Sequence, residues 1–242
     1  MSARQETRAG QSTQALREAI LSLRLAPGTR LVEREMVGKL GVSRTGVRAA
    51  LQSLESEGLV VRGARGVFAV ATVSREEARQ IYEVRAALEP AMARSFIARA
   101  TDEQVAALGE AVDRAEAAAK TRNGIAYVEA FRSFYAALLA GSGNDIARRI
   151  LETLDARIAY LRHVTTERAP QSRQLHTVAL LRGIFRAVRT READVAARRC
   201  GAFVMRSARF ALDVLQDNPE PVRIIPRRRA GVRPPKRHGP RG

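Results

Sequence analysis

The chain has a single cysteine, Cys200, and three histidines, His163, His176 and His238, in 242 residues. One cysteine can form no internal disulfide and no thiolate metal cluster, so Cys200 reads as a small buried hydrophobe. Three scattered imidazoles and no glycine-rich phosphate loop leave no catalytic constellation to assemble, and no enzyme is expected. No run of about 18 apolar residues is present, which excludes a membrane-spanning helix. The segment MSARQETRAG lacks an apolar signal region, so a soluble, cytoplasmic chain with no membrane partner is expected. Acidic residues are also scarce, with 25 Asp and Glu against 42 Lys and Arg, a net charge of +17 and an isoelectric point near 11.4. Nearly all of the cations are arginine, and their natural partner is a polyanion.

What is present suffices for two modest domains with cores of their own, at 45% hydrophobic content. The clearest local pattern runs from Leu40 to Val61. Val47, Ala50, Leu51 and Leu54 fall at helical spacing on one side, and Arg44, Thr45, Arg48 and Gln52 fall on the other. One side packs and the other is free to touch a partner. Ser43 is placed to cap this helix, Gly41 allows a tight turn before it, and residues 35–40 form a short helix before the turn. Glu57-Gly58 closes the second helix. The β-branched runs 59–62 and 67–70, joined through 63–66, read as a two-stranded wing. Arginine can engage guanine O6 and N7 or hold a phosphate, and threonine can reach a base edge or a backbone oxygen.

The stretch 16–70 resembles the winged helix of the GntR family of bacterial transcription regulators. It carries LREAI (16–20), PGTRL (27–31), VSRTGVRAAL (42–51), EGLV (57–60) and RGV (65–67) in the family's order. The resemblance implies that Arg34, Ser43, Arg44, Thr45 and Arg48 meet a double-stranded operator in the major groove. Arg65 and Gly66 would carry the wing into the minor groove, with Arg62 the other arginine placed for that role. Two departures stand out: Gly46 occupies the position usually held by proline, and Ala49 the usual acidic position. Gly46 is expected to cost the helix start about 0.5–1 kcal/mol of rigidity.

From Ser74 to Gln216 the pattern is helical throughout. Ser74 with Glu77 and Thr101 with Gln104 have capping-box spacing, while Asn123-Gly124, residues 141–143 and Pro170 punctuate the pattern. Six helices are expected, over 74–99, 102–121, 125–140, 144–163, 171–189 and 192–216. No repeat of solenoid length occurs.

This half resembles the effector and dimerisation domain (FCD type) of the FadR subfamily, through IYEVRAALEP (81–90), FRSFYAALLAGSGN (131–144) and LHTVALLRGI (175–184). The resemblance implies a helical bundle with a central pocket, a homodimer, and two DNA-binding heads presented to a near-palindromic operator. Many members hold a divalent metal through an Asp-x-x-x-His pair and two later histidines. The corresponding positions here are Phe131, Tyr135, His176 and Phe203. One imidazole cannot replace four ligands, so neither metal nor cofactor is expected. The resulting pocket, with Arg85, Phe131, Tyr135, His176 and Phe203, suits an organic acid bulkier and more apolar than a small hydroxy acid. Alternatively, the stripe Val128, Phe131, Phe134, Tyr135 and Leu138 simply fills the core, and the protein binds DNA without a ligand. Arg85 either holds an acid or pairs internally with Glu89 or Asp155.

The expected fold is mainly α, with a winged helix-turn-helix bearing a small β wing joined to an all-helical bundle. The expected division is a flexible segment 1–12, the winged domain 13–71, the helical domain 72–218 and a disordered basic tail 219–242. The tail carries Arg223, Arg227, Arg228, Arg229, Arg233, Lys236, Arg237 and Arg241 among six prolines. It reads equally as a tether for polyanions or as a solubilising extension.

Overall fold

A computed structural model describes residues 3–22, 24–40, 43–63 and 66–216. The expected basic tail 219–242 lies outside them. In chain order the described elements are α1 (Ala3–Leu21), β1 (Arg30–Leu31), α2 (Glu33–Leu40), α3 (Arg44–Ser56), β2 (Val60–Arg62) and β3 (Phe68–Val70). They continue as α4 (Arg75–Arg99), α5 (Asp102–Lys120), α6 (Gly124–Gly141), α7 (Asp145–Arg157), α8 (Ala159–Arg168), α9 (Gln171–Arg189) and α10 (Ala193–Gln216).

The N-terminal core is built from one face of each helix. Leu16 and Ala19 of α1, Met36 of α2 and Val47, Leu51 and Leu54 of α3 meet Leu59, Phe68 and Val70 from the sheet end. Fully burying one such aliphatic side chain contributes about 1.5–3 kcal/mol, so this shared face holds the three helices together. The sheet is antiparallel in the order β1-β3-β2, with Leu31 opposite Phe68 and Val61 opposite Ala69. Strand β1 was not expected, because two residues are too few to show an alternation.

Helix α1 starts at Ala3, inside the segment 1–12 expected to be flexible. Its packing explains the difference. Ser12 is buried beneath α3, and a Cβ added at Gly46 would stand 2.5 Å from the Ser12 Oγ. Gly46 is therefore a position where a side chain on α3 would have to displace the Ser12 hydroxyl of α1, a role beyond the loss of rigidity expected for it.

In the C-terminal half, α10 lies along α4, and α5 packs between α6 and α9. Thr101 and Gln104 form a reciprocal capping box on α5, and Ser74, Asn123 and Asn144 each accept a backbone N–H at the start of α4, α6 and α7. A single large core runs from Ala78 to Ala211 and includes Phe96, Leu108, Phe134, Leu138, Leu181 and Val204. Where one helix was expected over 144–163, two are found. The break falls at Ile158, which has φ −98° and ψ 6° and is fully buried, and it turns the chain without proline or glycine. Among the described residues no helix is long and apolar enough to cross a membrane.

Candidate nucleic-acid interface and ligand cavity

Helix α3 separates its two kinds of side chain cleanly. Gly46, Val47, Ala50, Leu51 and Leu54 are buried, whereas Arg44, Thr45, Arg48 and Gln52 are exposed. Ser43 caps the helix, its Oγ accepting from the Gly46 N–H at 3.1 Å. Arg48 reaches outward with a Glu33 carboxylate 4.0 Å away, and Arg34 is exposed on α2. The structure thus brings Ser43, Arg44, Thr45 and Arg48 to the exposed start of one helix. Gly66 is exposed beside β3 at φ 73°, while Arg65 lies outside the described residues. Arg62 is held to the domain body, bonded to Glu55 at 3.1 Å and stacked over Phe68 at 4.6 Å. It is a poor candidate for a free wing arginine.

In the helical half, Arg85, Phe131, Tyr135 and Phe203 come together. The Phe131 ring centroid is 5.3 Å from Tyr135 and 5.7 Å from Phe203. Arg85 Nε donates to Glu89 Oε1 at 2.6 Å, and Tyr135 Oη donates to Glu89 Oε2 at 2.9 Å. The Cys200 thiol is 4.0 Å from the same carboxylate. Of the alternatives for Arg85, the structure therefore shows the internal pair with Glu89, one helical turn away. Burial opposes the Arg85 charge, yet Glu89, the tyrosines and Asp155 outweigh it and hold its pKa above the ordinary arginine value. Burial and the Glu89 charge push up both the Tyr135 phenol and the Cys200 thiol.

His176 is a correction. It is exposed on α9 and lines neither the cavity nor the groove described below, whereas Thr177, the next residue, lines the cavity. Consecutive residues on a helix point about 100° apart, so a match displaced by one position turns a pocket residue outward. Among the described residues no three His, Cys, Asp or Glu side chains are grouped as metal ligands.

Beside Phe131 and Phe203 lies a cavity of about 80 Å³ walled by Tyr82, Tyr127, Phe210 and three arginines, Arg85, Arg162 and Arg173. Arg162 pairs with Asp155 and stands 5.5 Å from the Phe131 centroid. Sequence reasoning missed Arg162, Arg173 and Phe210. Their signal is same-face spacing: Arg162 with Thr165 and Thr166, Arg173 with Thr177, and Phe203 with Ser207 and Phe210.

A wider groove of about 2270 Å³ runs from Glu89 and Tyr135 past Asp155 and Arg162 to Arg17 and Glu57 of the N-terminal domain. The end of α7 joins the two domains. Ala156 packs on the N-terminal core, and the Arg157 guanidinium bonds Glu77 while lying against Gly58. Asp155, on the groove side, is one residue from this contact.

Residues 9–70 match the bacterial regulatory proteins of the gntR family, and residues 80–204, just over half of the chain, match the FCD domain. The chain belongs to the GntR family. It is 27% identical over 187 residues to the Nta operon transcriptional regulator of Aminobacter aminovorans, covering 76% of this chain and 83% of the relative. It is 26% identical over 204 residues to the HTH-type transcriptional repressor RspR of Escherichia coli, covering 84% and 88%. The solved structure of E. coli McbR/YncC superposes with a TM-score of 0.77 at 19% identity, over 86% of this chain and 98% of that one. A GntR-family protein with an FCD domain is a DNA-binding transcription regulator and not an enzyme.

Proposed function

We propose that the protein is a sequence-specific repressor of the FadR subfamily, acting in the cytoplasm as a homodimer on a near-palindromic operator. Its affinity for that operator is set by an organic acid bound, without a metal, in the helical domain. The observation that carries the DNA reading is the placement of Arg44, Thr45 and Arg48 on the exposed side of α3, opposite a fully packed face. Arg34 and Ser43, exposed on α2 and at the start of α3, join them in the major groove, and Gly66 with Arg65, which lies outside the described residues, takes the minor groove. The repressor sense is supported by RspR, whose name describes a repressor. Replacing Arg44 or Arg48 by alanine is expected to cost about 1–3 kcal/mol on an operator selected from random duplexes if that arginine reads a base. Loss of equal size on operator and random duplex would mark it as a phosphate contact instead.

The antiparallel packing that sets Glu89 beside Cys200 and Arg94 beside Asp194 brings Val84 level with Met205. Both are exposed, and burying them against a second copy would give the dimer an apolar contact. Met205→Glu is expected to give a monomer by light scattering, and an unchanged dimer would place the interface elsewhere. The effector reading is supported by the cavity and by the groove that leads from it toward the N-terminal domain. An acid that draws Arg162 from Asp155 would act one residue from the Ala156 contact and two from the Arg157 contact, and by linkage operator and effector then alter each other's affinity reciprocally. A ligand-independent regulator is the second reading, favoured by the saturated Arg85–Glu89–Tyr135 network. In that case no acid would change operator affinity.

A further inference from the structure

Three arginines line the aromatic cavity, and two already have carboxylate partners, Arg85 with Glu89 and Arg162 with Asp155. The third differs. The Arg173 guanidinium carbon lies 3.6 Å from the centroid of the Phe210 ring. A guanidinium stacked in this way keeps its in-plane N–H donors free, the arrangement that grips a carboxylate with two parallel hydrogen bonds. Among the described residues no carboxylate lies within ion-pair distance of it. Burial and the nearby Arg206 hold its pKa below the ordinary arginine value, with Tyr127 and Asp213 opposing them. An unmatched cation on the wall of a cavity shared by aromatic rings suits an anion that brings its own apolar body.

The walls say what that body is. Tyr82, Tyr127, Phe131 and Phe203 present ring faces and edges. The free space among them is about 80 Å³, less than the roughly 150 Å³ of an engineered cavity that holds benzene, so a single flat ring partly open to the groove suits it better than a folded acyl chain.

We propose that Arg173 anchors the carboxylate of an aromatic acid whose ring lies among Tyr127, Phe131 and Phe203. This rests on the effector reading above and assigns its chemical class. Thr177 and Ser207, both on the cavity wall, select ring hydroxyls.

Titration calorimetry on the full chain tests it with four probes: phenylacetate, acetate, phenylacetamide and decanoate. Phenylacetate is expected to bind about tenfold or more tightly than each of the others, and Arg173→Gln to weaken it by about tenfold or more. His176→Ala should leave it unchanged, and unaltered melting temperatures of the variants confirm that they fold. Arg173→Lys should be intermediate, since it keeps the charge and loses the fork. Equal binding of phenylacetate and phenylacetamide, or of phenylacetate by wild type and Arg173→Gln, would overturn the role of Arg173. Tighter binding of decanoate or acetate would overturn the aromatic class while leaving an effector site in place. No heat with any probe, from protein that still binds its selected operator, would overturn both the class and the effector reading.

Discussion

The Arg157 guanidinium lies against Gly58, 3.1 Å from where a side chain at that glycine would begin. Gly58 follows the end of α3 at φ 72°, and Arg157 ends α7, so this contact joins the N-terminal and helical domains together with Ala156, which packs on the N-terminal core. The Arg157 Nε is buried and has no hydrogen-bond partner, which leaves its Glu77 pair and this packing to hold it.

Gly58→Ala is therefore expected to destabilise the protein by about 1–3 kcal/mol, through both the left-handed backbone and the clash. The midpoint of urea unfolding measures it, and an unchanged midpoint would show that the arginine gives way freely. Arg157→Ala should relieve the clash in the double variant and reduce the effect of any ligand on operator affinity.

Removing one partner from the buried Arg85–Glu89–Tyr135 network should be costly. Glu89→Gln leaves Arg85 uncompensated and is expected to lose about 3–5 kcal/mol of stability. Tyr135→Phe removes one hydrogen bond to the carboxylate and should lose about 1.5–3 kcal/mol. Chemical denaturation gives both values, and a Tyr135→Phe loss as large as that of Glu89→Gln would contradict the ranking.

Stability should fall at high pH. Burial pushes the Tyr127 phenol up to about 12, while the unfolded chain ionises it near 10. Above pH 10 the unfolded state has given up a proton that the folded state keeps, so stability declines from about pH 10 and is lost through about pH 12, by roughly 2–3 kcal/mol for this group. Tyr82 and Tyr135 shift in the same direction. Phenolate absorbance should rise together with loss of helical circular dichroism. More than one phenolate per chain in a fully folded protein would contradict the burial of Tyr82, Tyr127 and Tyr135.

The Gly46–Ser12 approach gives a double-mutant test. Gly46→Ala should cost about 1–3 kcal/mol by overpacking, and Ser12→Ala should recover part of it by removing the Oγ at 2.5 Å. Strict additivity of the two losses would show that the contact is not the cause.

Much of this was legible because local chemistry and tertiary packing agree. Thr101 with Gln104, Ser43 with Gly46, and the stripe Val47, Leu51 and Leu54 each announce their structure within a few residues. The division of 144–163 into α7 and α8 did not show, because Ile158 turns the chain to fill the core and carries no helix-breaking chemistry. The i, i+4 pairing of Arg85 with Glu89 was one of the readings left open, since spacing cannot tell whether a buried arginine faces its own helix or a ligand. His176 was drawn into the pocket by a motif match, and a single residue of helical rotation places it in solvent. Arg173 was missed because its partner Phe210 is on another helix, and its same-face spacing to Thr177 does not by itself show what that face meets.

The central claim is sequence-specific recognition by α3. Fluorescence anisotropy of the full chain with its selected operator and with a scrambled duplex of the same length, at one fixed near-physiological salt concentration, tests it most directly. The account predicts an affinity ratio on the order of 10³ or more, collapsing in the Arg44→Ala, Arg48→Ala double variant. Equal affinity for both duplexes would contradict it and reduce the protein to a basic surface that binds any polyanion.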